Sequence, residues 1–482
     1  MNDSDNRWAS SAEKHKQQIA KHFDGRAADR RPKLLQFRHY HKQLIDYLRF
    51  LVPPGASVLE LGCGSGEILN ALEPAKGVGV DLSEQMVEKA RAKFPHLEFR
   101  VGDAETYDGE ETFEYVLVLG LINHLYDVQQ TFAQVRKACD RHTRVIVLNL
   151  NFVWQPLFRL LETMRLRKRQ PDLNWLPLGD MENLLLINGL EPVKKDYHLL
   201  CPFYFPLLSS LANRLLANAP IIWRLCIDQV VVARLQASQR EVDDFSCSVI
   251  VPARNERGNI EEIVRRIPNM GSHTEIVFVE GGSQDETLAE CHRVKKAYPN
   301  KDIAVMVQDG IGKGDAVRKG YAAAKGDILM ILDADISVDP EELPKFYRAL
   351  ADGKGEFING TRLVYQMEDQ AMRTLNLMGN YFFSRAFSYI LEQQLRDTLC
   401  GTKVLFKRDY DRLAAGRSYF GNFDPFGDFD LLFGAAKLNL KIVEIPVRYR
   451  ARTYGSTNIR RFTHGWLLIK MVIFSLRKIK FV

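Results

Sequence analysis

The sequence contains no stretch approaching the roughly 18–20 uninterrupted apolar residues that cross a bilayer. The closest run, Leu199–Leu211, is broken by Pro202 and Pro206. Met1–Arg7 is polar and lacks the apolar core of a signal peptide, so no export is expected. The seven cysteines include no CxxC pair, and Cys63 sits inside a glycine loop. That usage excludes a disulfide framework and leads to the expectation of a reducing, cytoplasmic setting. Short-period repeats and low-complexity segments are absent, which excludes solenoids and disordered arrays. Acidic residues are missing after Glu444, where nine lysines and arginines follow, while the rest of the chain carries 57 basic and 60 acidic residues. Positive charge is therefore concentrated at the carboxyl end. No nucleic-acid-binding motif surrounds it, so nucleic acid is not an expected partner.

What remains is a chain of 482 residues, 46% hydrophobic and 26% charged, long enough for two or three cores. Apolar runs alternate with helical patterns in two blocks. In the first, strands are expected at Ser57–Leu61, Gly77–Val80, Leu97–Val101, Tyr115–Leu119 and Arg144–Leu148, after a polar, helical leader. Residues 151–236 are apolar and punctuated by proline, and read as a helix-rich appendage. In the second block strands are expected at Ser246–Val251, Glu275–Val279, Ile303–Gln308 and Ile328–Leu332. Strand and helix in turn imply parallel sheets covered on both faces. The expected division is 1–236, a linker at 237–245, and 246–482.

In the first block, Glu60-Leu-Gly-Cys-Gly-Ser-Gly66 places Gly62, Gly64 and Gly66 between a strand and a helix. Glycine permits the tight turn and a close ligand approach. The spacing is neither GxGxxG nor a P-loop. Asp81 ends the next strand, where a carboxylate can accept both hydroxyl hydrogens of a ribose. Gly102-Asp103-Ala104 follows the third strand, placed to meet an adenine. As a set these residues resemble the class I S-adenosylmethionine-dependent methyltransferases over about residues 40–150. The resemblance implies S-adenosyl-L-methionine as cofactor, held by Glu60, Gly62, Gly64, Gly66, Asp81, Leu82, Asp103 and Ala104. The Asn/Asp-Pro-Pro-Tyr element used on the amino groups of bases is absent. His124 is a candidate base or a structural hydrogen-bonder. The methyl acceptor stays open, as does a non-catalytic role for this block.

In the second block, the run Ile328–Leu332 delivers Asp333-Ala334-Asp335 to the end of a buried strand. Two carboxylates one residue apart suit a hard divalent ion that also holds a diphosphate. Ahead of them lie Ser248–Glu256, Glu280–Thr287 and Gly312–Gly320; behind them come Asn359–Arg362, Asp397–Lys403, Asp428–Asp430 and Ile445–Ser456. In that order these elements resemble family 2 glycosyltransferases, and within them the enzymes that glycosylate dolichyl or polyprenyl phosphate. The Gln-x-x-Arg-Trp element of processive synthases is missing.

The resemblance implies a GT-A fold, so that the chain as a whole is α/β with two Rossmann-like domains. It implies a nucleotide-sugar site at Pro252, Ala253, Asn255, Glu256, Glu280, Asp285, Lys313, Arg318, Asp333, Ala334 and Asp335, with Mg²⁺ or Mn²⁺ on Asp333 and Asp335. The family's paired aspartates are Glu280-Gly281 here, which leaves UDP and GDP both open as donor nucleotide. Two acceptors are compatible with the site. A polyprenyl phosphate would be held by Arg450 and Arg452, whereas a glycan hydroxyl would need Asp428 or Asp430 as base; these two acids are equally suited to stabilising the start of a helix at Leu431–Leu438. The terminal Trp466–Leu476 segment is apolar and then basic, suited either to the membrane interface or to core packing.

Overall fold

The computed structural model describes residues 3–27, 35–166, 171, 174–219, 221–237, 244–362, 374–420, 429–450, 454 and 461–480. The chain divides into two compact units, with the break in sequence at Gln236 and Ala237. Most of the expected linker, at 238–243, lies outside the described residues, as do Asp428 and Arg452.

The first unit is built on seven strands: β1 (Ser57–Leu61), β2 (Lys76–Asp81), β3 (Glu98–Val101), β4 (Tyr115–Leu119), β5 (Arg144–Leu150), β6 (Leu190–His198) and β7 (Asp228–Leu235). Their order in the sheet is β3-β2-β1-β4-β5-β7-β6. The first five pair in parallel, and β7 runs antiparallel to both β5 and β6. Burial explains the sequences. The central strands β1, β4, β5 and β7 are covered on both faces and are near-continuous apolar runs, whereas the edge strands β3 and β6 are part-exposed.

Two expectations need correction. The sheet is mixed rather than all-parallel, and the helix-rich appendage at 151–236 contributes its last two strands. Asp-Gln-Val-Val-Val-Ala-Arg-Leu at β7 is β-branched and buried between β5 and β6, so it is part of the sheet core.

The second unit repeats the principle with β8 (Cys247–Ala253), β9 (Thr274–Glu280), β10 (Asp302–Val307), β11 (Ile328–Ile331), β12 (Phe357–Thr361), β13 (Lys403–Phe406) and β14 (Ile442–Pro446). The sheet order is β10-β9-β8-β11-β13-β12-β14, and β13 is antiparallel to its neighbours. One core cluster joins Val249, Val251, Phe278 and Met330 to Phe346 of the helix Leu343–Ala351. Both units are thus α/β, with a strand-order reversal at β1/β4 in the first and at β8/β11 in the second. Ligands of open α/β sheets bind in the crevice at such a reversal, outside the carboxyl ends of the strands.

The elements Asn359–Arg362 and Asp397–Lys403 meet as a buried pin. Arg362 Nε and Nη2 donate to Asp397 Oδ2 and Oδ1 at 2.7 and 2.8 Å, and Asn359 Nδ2 donates to Asp397 O at 2.7 Å. Burial alone would raise the Asp397 pKa, but the Arg362 charge and its hydrogen bonds outweigh that and hold it below the ordinary value. Its stabilising effect is therefore present above about pH 4 and lost as the pH falls below it. Asp397→Ala is expected to destabilise the second unit by about 3–5 kcal/mol at pH 7, because it strands a buried guanidinium. Denaturant melts at pH 7 check the loss, and an unchanged midpoint would refute it.

Candidate functional site

The first candidate site lies where β1, β2 and β4 end. Gly62, Gly64 and Gly66 all take positive φ, at 77°, 52° and 73°. Gly64 is the informative one. A Cβ there would meet no atom within 4 Å, so its left-handed turn opens onto free space rather than onto packing. Asp81 ties down that turn: its Oδ2 accepts from Gly64 N at 2.8 Å and its Oδ1 from Ser83 N at 2.9 Å. Burial raises the Asp81 pKa, offset in part by those two N–H groups. Leu82 follows it into the turn.

Glu60 lies beneath, 2% exposed, with its Oε2 unpartnered among the described residues. Burial, with Asp81 nearby, pushes its pKa up to about 8.

The leader helix Asp3–Ala27 supplies residues that no motif announced. Lys16 Nζ pairs with Asp103 Oδ2 at 2.7 Å and with Glu105 Oε2 at 2.9 Å. Ser83 Oγ donates to Asp24 Oδ1 at 2.5 Å. Asp103, expected at the adenine, is therefore already ion-paired, next to a buried Ala104. His124 lies under the same helix, its ring 5.1 Å from that of Phe23 in edge contact. Burial, reinforced by the charges of His22, Arg26 and His15, pushes its pKa down to about 4. It is a neutral imidazole near pH 7, and its Nδ1 has no partner among the described residues.

The second candidate site collects at the ends of β8, β9, β10 and β11. Pro252 and Ala253 close β8, and Ala253 O accepts from Gly281 N at 2.9 Å. Asn255, at φ 56°, clasps the neighbouring loop: its N–H donates to Ser283 Oγ at 2.9 Å, and its Oδ1 accepts from Gln284 N at 2.7 Å. Glu256 N donates to Thr287 Oγ1 at 3.0 Å. Glu280 is 4% exposed and turned back onto Ser283 N at 2.5 Å, so it shapes its own loop. Asp285 caps that loop through Thr287 N at 3.0 Å.

The centre of this site is Asp333. Its Oδ1 pairs with Lys313 Nζ at 2.6 Å, and the pair is about a third exposed. Lys313 opens the helix Lys313–Ala323, whose N-terminal N–H groups and dipole favour an anion. Gly401 runs against the pair so closely that a Cβ there would overlap Asp333 Oδ2 and lie 2.6 Å from Lys313 Nζ. Ala334 is buried, and Asp335 Oδ1 accepts from Ser337 N at 2.9 Å. Arg318, one turn along the helix, is 3.9 Å from Asp315.

Among the described residues no group of three potential metal-ligating side chains occurs. Two carboxylates at this strand end could hold a hard ion only if it took most of its ligands from phosphate and water. Lys313 already holds part of the Asp333 charge.

Arg450 reaches this site through its backbone: Arg450 N donates to Ser337 O at 3.0 Å, and Tyr449 bridges Val338. Its guanidinium Nε rests on Asp339 Oδ2 at 3.0 Å and is largely exposed. Asp430, a candidate base, is instead buried and paired with Arg417 Nε at 2.8 Å. The partly buried Arg417 guanidinium thus ties Asp430 to the start of the helix Phe429–Lys437.

The comparisons with known proteins divide along the same line. Residues 58–142 match the family described as Methyltransferase domain, and residues 248–413 match Glycosyl transferase family 2. The chain joins a methyltransferase domain to a family 2 glycosyltransferase domain. For the glycosyltransferase domain, similar proteins include the dolichol-phosphate mannosyltransferase of Pyrococcus furiosus, 38% identical over 119 residues, which cover 24% of this chain and 33% of that one. Glycosyltransferase AglJ of Haloferax volcanii is 26% identical over 222 residues, covering 46% of this chain and 68% of its own length. The chain thus spans a third to two thirds of these relatives. Among solved structures, glucosyl-3-phosphoglycerate synthase of Mycobacterium tuberculosis, in complex with Mn²⁺ and UDP, aligns with 49% of this chain and 80% of its own at 18% identity and a TM-score of 0.36.

In the methyltransferase domain, the buried Glu60 generates a pH test. Its folded pKa lies above the ordinary value of 4.5, so it opposes folding once ionised. Wild-type stability is expected to fall as the pH rises from about 4.5 through about 8 on this account. Glu60→Gln removes that slope. Thermal melts of both proteins from pH 5 to 9 check it; parallel curves would show that Glu60 does not titrate there.

Proposed function

We propose that the glycosyltransferase domain transfers a sugar, with inversion, from a UDP- or GDP-sugar to a polyprenyl phosphate with release of the nucleoside diphosphate, and that the methyltransferase domain transfers a methyl group from S-adenosyl-L-methionine. The observation that carries the first reading is the conjunction of three groups at one strand end: the Asp333–Lys313 pair, Asp335, and Arg450 strapped to Ser337. Asp335 and Asp333 would hold the Mg²⁺ or Mn²⁺. When bound, the ion supplies positive charge against the diphosphate leaving group. Lys313 and the helix it opens stabilise the same charge and are fixed before the reaction, so little reorganisation is needed. Pro252 to Glu256 and Glu280 to Asp285 form the two loops beside which the nucleoside is proposed to lie.

The acceptor oxygen of a lipid phosphate is already anionic and needs no base. This favours the lipid over a glycan hydroxyl, since Asp430 is already paired with Arg417. Arg450 is proposed to hold the acceptor phosphate, together with Arg452, which lies outside the described residues. The name of the Pyrococcus relative, a transferase onto dolichol phosphate, supports this acceptor class. In the terminal helix Arg461–Ser475, Leu468 and Met471 are buried while Trp466, Ile469 and Ile473 are exposed. Among the described residues no helix is long and apolar enough to cross a membrane. Peripheral contact at the cytoplasmic face is the proposed setting, and the seven free thiols support a reducing compartment.

In the methyltransferase domain, Asp81 would hold the ribose of the cofactor and Gly64 would admit its backbone-facing edge. Alignment of donor and acceptor supplies most of the acceleration expected for a sulfonium methyl transfer.

The test is a screen of UDP- and GDP-sugars with a short polyprenyl phosphate and Mg²⁺ or Mn²⁺, following nucleoside diphosphate release. One donor is expected to give lipid-dependent turnover, lowered at least about 100-fold by Asp335→Ala and less than tenfold by Asp430→Asn. Turnover without lipid stimulation would overturn the acceptor assignment.

A further inference from the structure

The methyltransferase unit exposes far more large apolar side chains than a closed globule needs, and most of them fall between Phe152 and Leu225. The helix Gln155–Thr163 has no buried residue although it carries Leu157, Phe158, Leu160 and Leu161. Farther along, Leu207 is 87% exposed and Ile221 81%. Monomeric proteins rarely leave contiguous apolar surface of this kind without a use for it.

The two segments are fastened together by polar clamps. Asn151, itself 1% exposed, donates through Nδ2 to Arg224 O and to Cys226 O, both at 2.8 Å. Trp154 Nε1 donates to Leu225 O at 3.0 Å. Cys201 and Asn213 exchange two hydrogen bonds, at 2.7 and 3.0 Å, which fix the Phe203–Phe205 loop against the turn that carries Leu215 and Leu216. The clamps use backbone groups that would otherwise be unsatisfied, and they leave the leucines facing outward.

Strand register shows which edge this surface occupies. Leu150, at the end of β5, pairs with Asp228, and Asp228 also pairs with His198 at the end of β6. The segments after β5, after β6 and before β7 therefore all emerge at the carboxyl edge of the sheet, the edge that carries the glycine loop and Asp81.

Positive charge predominates around this rim, with Glu162 the one acid among residues 152–166. Arg159, Arg165, Arg214 and Arg224 are exposed on it, and residues 199–227 contain no acid. The basic sequence Arg165-Leu-Arg-Lys-Arg169 follows the amphipathic helix directly. Phe152, Trp154, Tyr204 and Trp223 supply the aromatic side chains favoured at a bilayer interface. Apolar residues framed by arginine, with aromatics between, match the surface of a bilayer carrying anionic headgroups. A protein partner of matching size would be expected to meet a rim of both signs, whereas here Glu162 stands against four exposed arginines.

We propose that the methyltransferase unit docks by this rim on an anionic bilayer surface, with its cofactor edge facing the lipid. The inference does not depend on the glycosyl acceptor, because every residue in it belongs to the other unit.

The test is co-sedimentation of the full chain with phosphatidylcholine vesicles, with or without 30 mol% (about a third) phosphatidylglycerol, at low and physiological salt. Binding to the anionic vesicles is expected, weakened by salt and at least about tenfold by Leu157→Glu/Leu208→Glu. Both positions are exposed, and an unchanged melting curve shows that the variant is folded. Arg214→Glu/Arg224→Glu is expected to remove the preference for anionic lipid. Trp466→Glu/Ile469→Glu, in the terminal helix, separates the two surfaces: the proposal expects residual binding that Leu157→Glu/Leu208→Glu then abolishes. Equal binding of wild type and Leu157→Glu/Leu208→Glu would overturn it. So would concentration-dependent self-association of the wild type that the same pair of substitutions removes, since a second copy would then cover the rim.

Discussion

A strand buried on both faces of a sheet has nowhere to place a charge except at its ends, and this constraint organises both halves of the chain. β4 and β11 are apolar along their length, and polar side chains follow where the chain leaves the sheet. At the reversal points β1/β4 and β8/β11 the loops diverge, which leaves a crevice lined by those polar ends. Gly62 to Gly66 with Asp81 in one unit, and Asp333 to Asp335 with Lys313 in the other, occupy equivalent positions for the same reason. The two sites share an architecture before they share any chemistry.

Their electrostatics then diverge. In the methyltransferase domain the acids are buried with little compensation, so Glu60 and Asp81 are pushed toward their neutral forms. Backbone N–H groups partly offset this at Asp81. In the glycosyltransferase domain the Asp333 charge is balanced in advance by Lys313 and the helix it opens. A site arranged around compensating charge suits a ligand that arrives and leaves as an anion. The buried Arg362–Asp397 pin serves a different purpose, fixing where the chain re-enters the sheet beside Gly401.

Much of this was legible in the sequence, because strand-end acids and glycine turns are local signals. Ser57–Leu61 and Tyr115–Leu119 have the same bounds in the sequence reading and in the structure, and Ile328–Leu332 differs by one residue, since apolar runs bounded by turns leave little choice. β6 and β7 were not legible. They are embedded in an apolar, proline-rich stretch, and β7 becomes a strand only by inserting between two others that lie far away in sequence. Lys16 was hidden for a related reason: its partners Asp103 and Glu105 are brought to it by the fold, and nothing in a polar leader marks one lysine among several. Asp430 is open in the sequence between a base and a stabiliser of the helix start, and sequence order does not reveal that Arg417 lies 2.8 Å away.

If both strand-end sites work as proposed, each binds its own ligand. Calorimetric titration of the full chain with S-adenosylhomocysteine and with UDP or GDP plus Mn²⁺, singly and together, tests it most directly. One site for each ligand and additive heats are expected, with only the first lost in Asp81→Ala and only the second in Asp335→Ala. Competition between the ligands, or loss of both with either substitution, would contradict it.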